Sequence, residues 1–134
     1  VSENTLRVLV YSDDATVRRQ VLLALGSRPH PDLPEVEYVE VATEPVVIQQ
    51  MDAGRIDLAI LDGEAVPAGG MGIARQLTDE LADCPPLVVL TGRPQDAWLA
   101  TWSRADAAVP QPLDPIQLAS VVTGLLRARV PASS

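Results

Sequence analysis

Three features of this 134-residue sequence predict an α/β fold, a single doubly wound parallel sheet of five strands with helices on both faces. Short apolar runs alternate with segments of helical periodicity five times along the chain. Two of the runs, 58–61 and 87–90, are apolar at every position, as central parallel strands covered on both faces must be. Finally, 47% of the residues are hydrophobic but only 3% are aromatic, with no Phe, so the core must be built from Val, Leu, Ile and Ala. The length suits one domain over residues 1–134, with 130–134 expected to be a flexible tail.

The elements follow in order. Leu6 to Tyr11 reads as the first strand, interrupted only by Arg7 and closed by Ser12-Asp13-Asp14. Val17, Val21, Leu22 and Leu25 recur at spacings of three and four, which places a helix from Ala15 to a glycine stop at Gly26. A polar loop with three prolines precedes the second strand, 36–42, whose Glu37 and Glu40 leave it half wet and put it towards an edge. Thr43 is placed to cap a helix opening at Glu44-Pro45 and running to Gly54. The third strand, 56–61, ends at Asp62, and a Gly- and Pro-bearing loop fills 63–72.

Residues 73–81 supply the next helix and 87–90 the fourth strand, ended by Thr91-Gly92. Pro94 opens an expected helix through Trp98, Leu99 and Trp102. The fifth strand, 107–109, is brief and belongs at an edge, because Pro110 has no N–H for a ladder. Asp114-Pro115 begins the last helix, with Leu118, Val122, Leu125, Leu126 and Arg129 on one face.

Composition narrows the function. A formal net charge of −8 opposes binding to a phosphate backbone, so nucleic acid is not an expected partner. No apolar stretch reaches spanning length and no signal-peptide pattern opens the chain, which predicts a cytoplasmic protein without direct membrane insertion. Cys84, the single cysteine, allows no internal disulfide and reads as a half-buried structural thiol in a helix-to-strand loop. There are ten Arg and no Lys, so no ammonium is available to any site. Neither G-x-G-x-x-G nor G-x-x-x-x-G-K-[ST] occurs.

In a parallel sheet the carboxyl ends of all strands share one rim, which gathers Asp13, Asp14, Asp62, Thr91 and Gln111. Carboxylates from two strand ends suit a hard, partly hydrated Mg²⁺ ion; equally, each Asp can simply cap a helix or close a turn. Spacing leaves both open.

Over nearly its whole length the chain resembles a bacterial response regulator receiver domain. The resemblance implies the flavodoxin-like strand order 2-1-3-4-5. It casts Asp13-Asp14 as the family's acidic pair, Asp62 in LAILDG as the phospho-acceptor, and Thr91 as the hydroxyl switch residue. The implied metal set is Asp13, Asp14 and Asp62, a weak or vestigial Mg²⁺ site with no cofactor strictly required.

Departures from the family pattern bear on function. The family's lysine before a proline is Gln111-Pro112, the aromatic switch position is Ala108, and the proline after the acceptor appears late, as Pro67. The family also implies a cis Gln111–Pro112 bond. Arg93 is the nearest basic residue in sequence to this rim. The reading is therefore a stand-alone pseudo-receiver rather than an enzyme, an interaction or accessory subunit in a larger assembly or a homodimer. The alternative is a Mg²⁺-dependent phospho-accepting receiver in a two-component pathway. In the family, the fourth helix, fifth strand and fifth helix form the partner surface, and Trp98, Leu99 and Trp102 are the candidate anchors there. With only a short segment after the last helix, no DNA-binding output domain is expected.

Overall fold

A computed structural model describes residues 5–64, 69–81, 84–92 and 104–129. Nine elements run in the order β1 (Leu6–Tyr11), α1 (Ala15–Leu25), β2 (Val36–Val41), α2 (Glu44–Asp52), β3 (Leu58–Asp62), α3 (Gly70–Glu80), β4 (Leu87–Thr91), β5 (Ala107–Pro110) and α4 (Pro115–Arg129). The strands form one parallel sheet in the order β2-β1-β3-β4-β5, as expected. Trp98, Leu99 and Trp102, the helix expected around them, Pro67, Arg93 and the 130–134 tail lie outside the described residues.

The strand sequences explain this order. Every residue of β3 and β4 is buried, and these strands hold the middle of the sheet with β1. β2 exposes Glu37 and Glu40 while burying Val36 and Val41 at its ends, and it takes one edge. β5 takes the other edge, where Pro110 needs no further ladder partner.

Alternation along the strands divides the core into two layers. Val8, Val10, Leu58, Ile60, Val88, Leu90 and Val109 face Val21 and Leu25 of α1 and Leu118, Val122 and Leu126 of α4. On the opposite face, Leu9, Ala59, Leu61 and Val89 meet Val47 and Met51 of α2 and Ile73, Ala74 and Leu77 of α3. The helix termini follow local chemistry. The Asp14 carboxylate caps α1 through Thr16 N–H at 2.8 Å, and α1 stops at Gly26, whose φ of 66° is the left-handed conformation glycine adopts without strain. Asp114 Oδ1 caps α4 by accepting from Ile116 N–H at 2.9 Å and Gln117 N–H at 3.3 Å.

Several details differ from expectation; β2 ends at Val41 rather than at residue 42, and α2 at Asp52 rather than at Gly54. α3 begins at Gly70 rather than residue 73, because its early turns need no apolar residue to be helical. β3 begins at Leu58: Ile56 is buried ahead of the strand, and Asp57 instead links to β1, its N–H donating to Arg7 C=O and its Oδ2 accepting from Arg7 N–H, both at 2.8 Å. Thr43 stands at the N-cap of α2 but makes no side-chain capping bond. The proline-rich connection before β2 is pinned by Leu33, buried against the α1–α4 layer, and by Asp32, which pairs with Arg127 of α4 at 3.1 Å. Cys84 is half-buried, and burial, with the charge of Asp106, pushes its thiol up.

Tyr38 of β2 donates its hydroxyl to the Gly26 carbonyl, stapling the edge strand to the end of α1. Burial pushes its phenol up to about 12 from the ordinary 10.0. Its protonated form is therefore favoured by folding, a contribution fully present below pH 10.0 and lost as pH rises towards about 12. In an alkaline absorbance titration, tyrosinate in the folded protein should appear at clearly higher pH than in the urea-unfolded chain, with Tyr38→Phe removing the most delayed component. Coincident folded and unfolded curves would contradict this.

Candidate functional site

Strand register assembles the carboxyl rim. Tyr11 is paired with Leu61, so the next residues, Ser12 and Asp62, stand side by side. Asp62 is in turn paired with Leu90, and Thr91 with Pro110. Gln111, one step past β5, donates its N–H to the Thr91 carbonyl at 2.8 Å. The rim residues Ser12, Asp62 and Thr91 are 0%, 3% and 1% exposed, so whatever the Asp62 carboxylate needs must come from the protein.

Among the described residues, three donors supply it. The Ser12 hydroxyl donates to Asp62 Oδ2 at 2.8 Å; Glu64 N–H and Gln111 Nε2 donate to Oδ1 at 2.8 and 3.0 Å. All three are neutral. Ser12 is itself fixed from several directions. Its oxygen accepts from Asp14 N–H at 3.0 Å, its N–H donates to Val41 C=O at 3.1 Å, and its carbonyl accepts from Arg18 Nη1 at 2.6 Å. No buried side-chain polar atom among the described residues lacks a partner.

Carboxylates gather near this rim, with the Arg18 guanidinium among them. Burial, and then the charges of Asp13, Glu44 and Asp62, raise the Tyr11 hydroxyl above its usual range, which places those carboxylates around the end of β1. The Glu64 side chain lies over Gly92 so closely that a Cβ there would fall 2.5 Å from its Cδ and Oε1. The Gln111–Pro112 bond is cis, as expected. Ala108, paired with Val89, brings no ring to β5.

Of the residues expected to hold a metal, Asp62 is buried in this network, Asp13 is exposed, and Asp14 spends its Oδ1 on the α1 cap. Among the described residues no group of three or more His, Cys, Asp or Glu side chains is placed to hold a metal ion. A Mg²⁺ site draws on carboxylate oxygens that are open to the ion and its waters. Here both Asp62 oxygens carry protein donors and the side chain beside them is a hydroxyl, so the arrangement does not fit the ion.

Ser12, Glu64 and Arg18 are the site residues missed by sequence reasoning. The conspicuous Asp13-Asp14 drew attention from Ser12, whose place beside Asp62 follows from the Tyr11–Leu61 pairing and has no signal in the sequence. Gln111→Ala removes one donor from a buried carboxylate and should lower stability by about 1–3 kcal/mol, read from urea unfolding; an unchanged midpoint would show that this bond carries no weight.

No protein-family model matches the chain. Two uncharacterized response regulatory proteins, from two strains of Mycobacterium tuberculosis, are each 68% identical to it over 127 residues, 95% of this chain and 96% of theirs. The fold matches the receiver domain of a Francisella response regulator with a TM-score of 0.78 at 13% identity, covering 93% of this chain and 99% of that one. A two-component response regulator from Clostridium difficile matches with a TM-score of 0.75 at 16% identity, covering 94% and 99%. The sheet order, the strand-end Asp62 and Thr91, and the 68% identity together identify the chain as a member of the two-component response regulator family, an atypical receiver domain with Gln111 before its cis proline.

Proposed function

We propose that this receiver domain works as a phosphorylation-independent protein-interaction module, an accessory component of a larger signalling assembly. The observation that supports this reading is the state of Asp62: buried, held among the described residues by three neutral donors, with further carboxylates near the end of β1. Phosphoryl transfer to a carboxylate places negative charge on equatorial oxygens that must be compensated from more than one side. Gln111 offers only an amide donor where an ammonium is wanted. Losing one such charged contact costs ~3–4 kcal/mol of transition-state stabilisation, two to three decades in rate.

A second reading, a slow phospho-acceptor at Asp62, is favoured by the position of Asp62 and Thr91 at the ends of adjoining central strands. Incubation with Mg²⁺ and a small phosphodonor, followed by intact mass, separates the two. The proposal expects no phosphoryl adduct, in the wild type or in Asp62→Asn. A stoichiometric adduct that is absent in Asp62→Asn and changes partner affinity establishes the second reading.

The partner surface in this proposal is the segment bearing Trp98, Leu99 and Trp102 with β5 and α4. Its support is chemical: the two Trp residues of the sequence, four positions apart and with Leu99 between them, offer large apolar anchors. Trp98→Ala with Trp102→Ala should reduce recovery of protein partners in affinity purification roughly tenfold or more, as expected for hot-spot anchors, while circular dichroism stays native. Undiminished recovery counts against this surface.

A further inference from the structure

We infer that Ser12 closes the Asp62 pocket to divalent cations, so that the rim has the same stability with and without Mg²⁺. The inference deepens the proposed function and rests on it in one respect, that neutral donors hold Asp62.

The argument begins with register. Because Tyr11 pairs with Leu61, position 12, one step past β1, stands beside Asp62, and its hydroxyl reaches the carboxylate at 2.8 Å. A carboxylate at that position would set two negative charges side by side in a buried pocket, an arrangement that requires a proton or a cation between them. A hydroxyl removes the requirement. It donates its only proton to Asp62 Oδ2 and accepts Asp14 N–H on its own oxygen. For an ion to reach Asp62 Oδ2 from the side of Ser12, that bond must open inside a pocket where both partners are buried, and Ser12 is held in place by Val41 and Arg18 through its backbone. The neighbouring acids do not supply the deficit. Asp14 caps α1, Asp13 is exposed, and no three acidic or His or Cys side chains among the described residues converge.

The same reasoning predicts what one substitution would do. Ser12→Asp replaces a hydrogen-bond donor by a like charge and should create the demand for a cation that the wild type lacks. The expected result is a melting temperature lowered by about 5 °C or more in EDTA, with saturable recovery as Mg²⁺ is added. Ser12→Ala removes the donor without adding charge, and its lowered melting temperature should not respond to Mg²⁺.

The test has two arms. Thermal melts in EDTA and in Mg²⁺ compare the wild type, Ser12→Asp and Ser12→Ala. Amide spectra of the wild type with Mn²⁺ as a paramagnetic probe locate any bound ion. Identical wild-type melts, no selective broadening at Ser12, Asp62, Gly63 and Glu64, and a Mg²⁺-dependent Ser12→Asp support the inference. A saturable Mg²⁺ shift in the wild type, broadening centred on Asp62, or a Ser12→Asp indifferent to Mg²⁺ overturns it. Where Ser12→Asp fails to fold in both conditions, the two wild-type measurements decide. A wild type that binds Mg²⁺ at Asp62 yet takes no phosphoryl group sinks this inference alone; a phosphoryl adduct formed in EDTA sinks the proposed function alone.

Discussion

A carboxylate buried at the end of a central strand must be satisfied, and the way Asp62 is satisfied organises the whole rim. Its bonds to Ser12, Glu64 and Gln111 join the ends of β1, β3 and β5, elements separated by about fifty residues on either side. The cost of leaving such a group without partners is several times the value of an ordinary exposed hydrogen bond. The rim therefore acts as one cooperative polar unit on top of a sheet whose two layers are otherwise largely apolar.

That chemistry changes what the family's fold can do here. Receiver architecture places an aspartate at a strand end within reach of other strand ends, and this chain keeps that placement. What surrounds the aspartate is altered: a hydroxyl from β1, an amide beyond β5, and a glutamate reaching over Gly92. Ala108 adds that the edge strand has no ring to move in response to any event at Thr91. A pocket held by neutral bonds, without a bulky relay on β5, is the basis of the constitutive role proposed above.

Much of the fold was legible because its cues are local. Apolar runs without polar interruption mark β3 and β4, glutamates mark the wet edge strand β2, and Pro110 marks the other edge. Asp14 and Asp114 announce helix starts by the same capping chemistry wherever they occur. Boundaries that depended on partners were less legible. Asp57 looks like part of a strand in sequence but is claimed by Arg7 of β1, and α3 begins three residues before the buried Ile73.

The site divides in the same way. Sequence alone determined that Asp62, Thr91 and Gln111 end successive strands and share a rim, because parallel order follows from the alternation of strands and helices. It also determined that no lysine reaches them. Only tertiary structure decided that Ser12, rather than Asp13 or Asp14, faces Asp62. The reason is register: side chains alternate along a strand and its continuation, so a shift of one residue exchanges a buried neighbour for a helix cap or a solvated charge, and the pairing of Tyr11 with Leu61 made that choice.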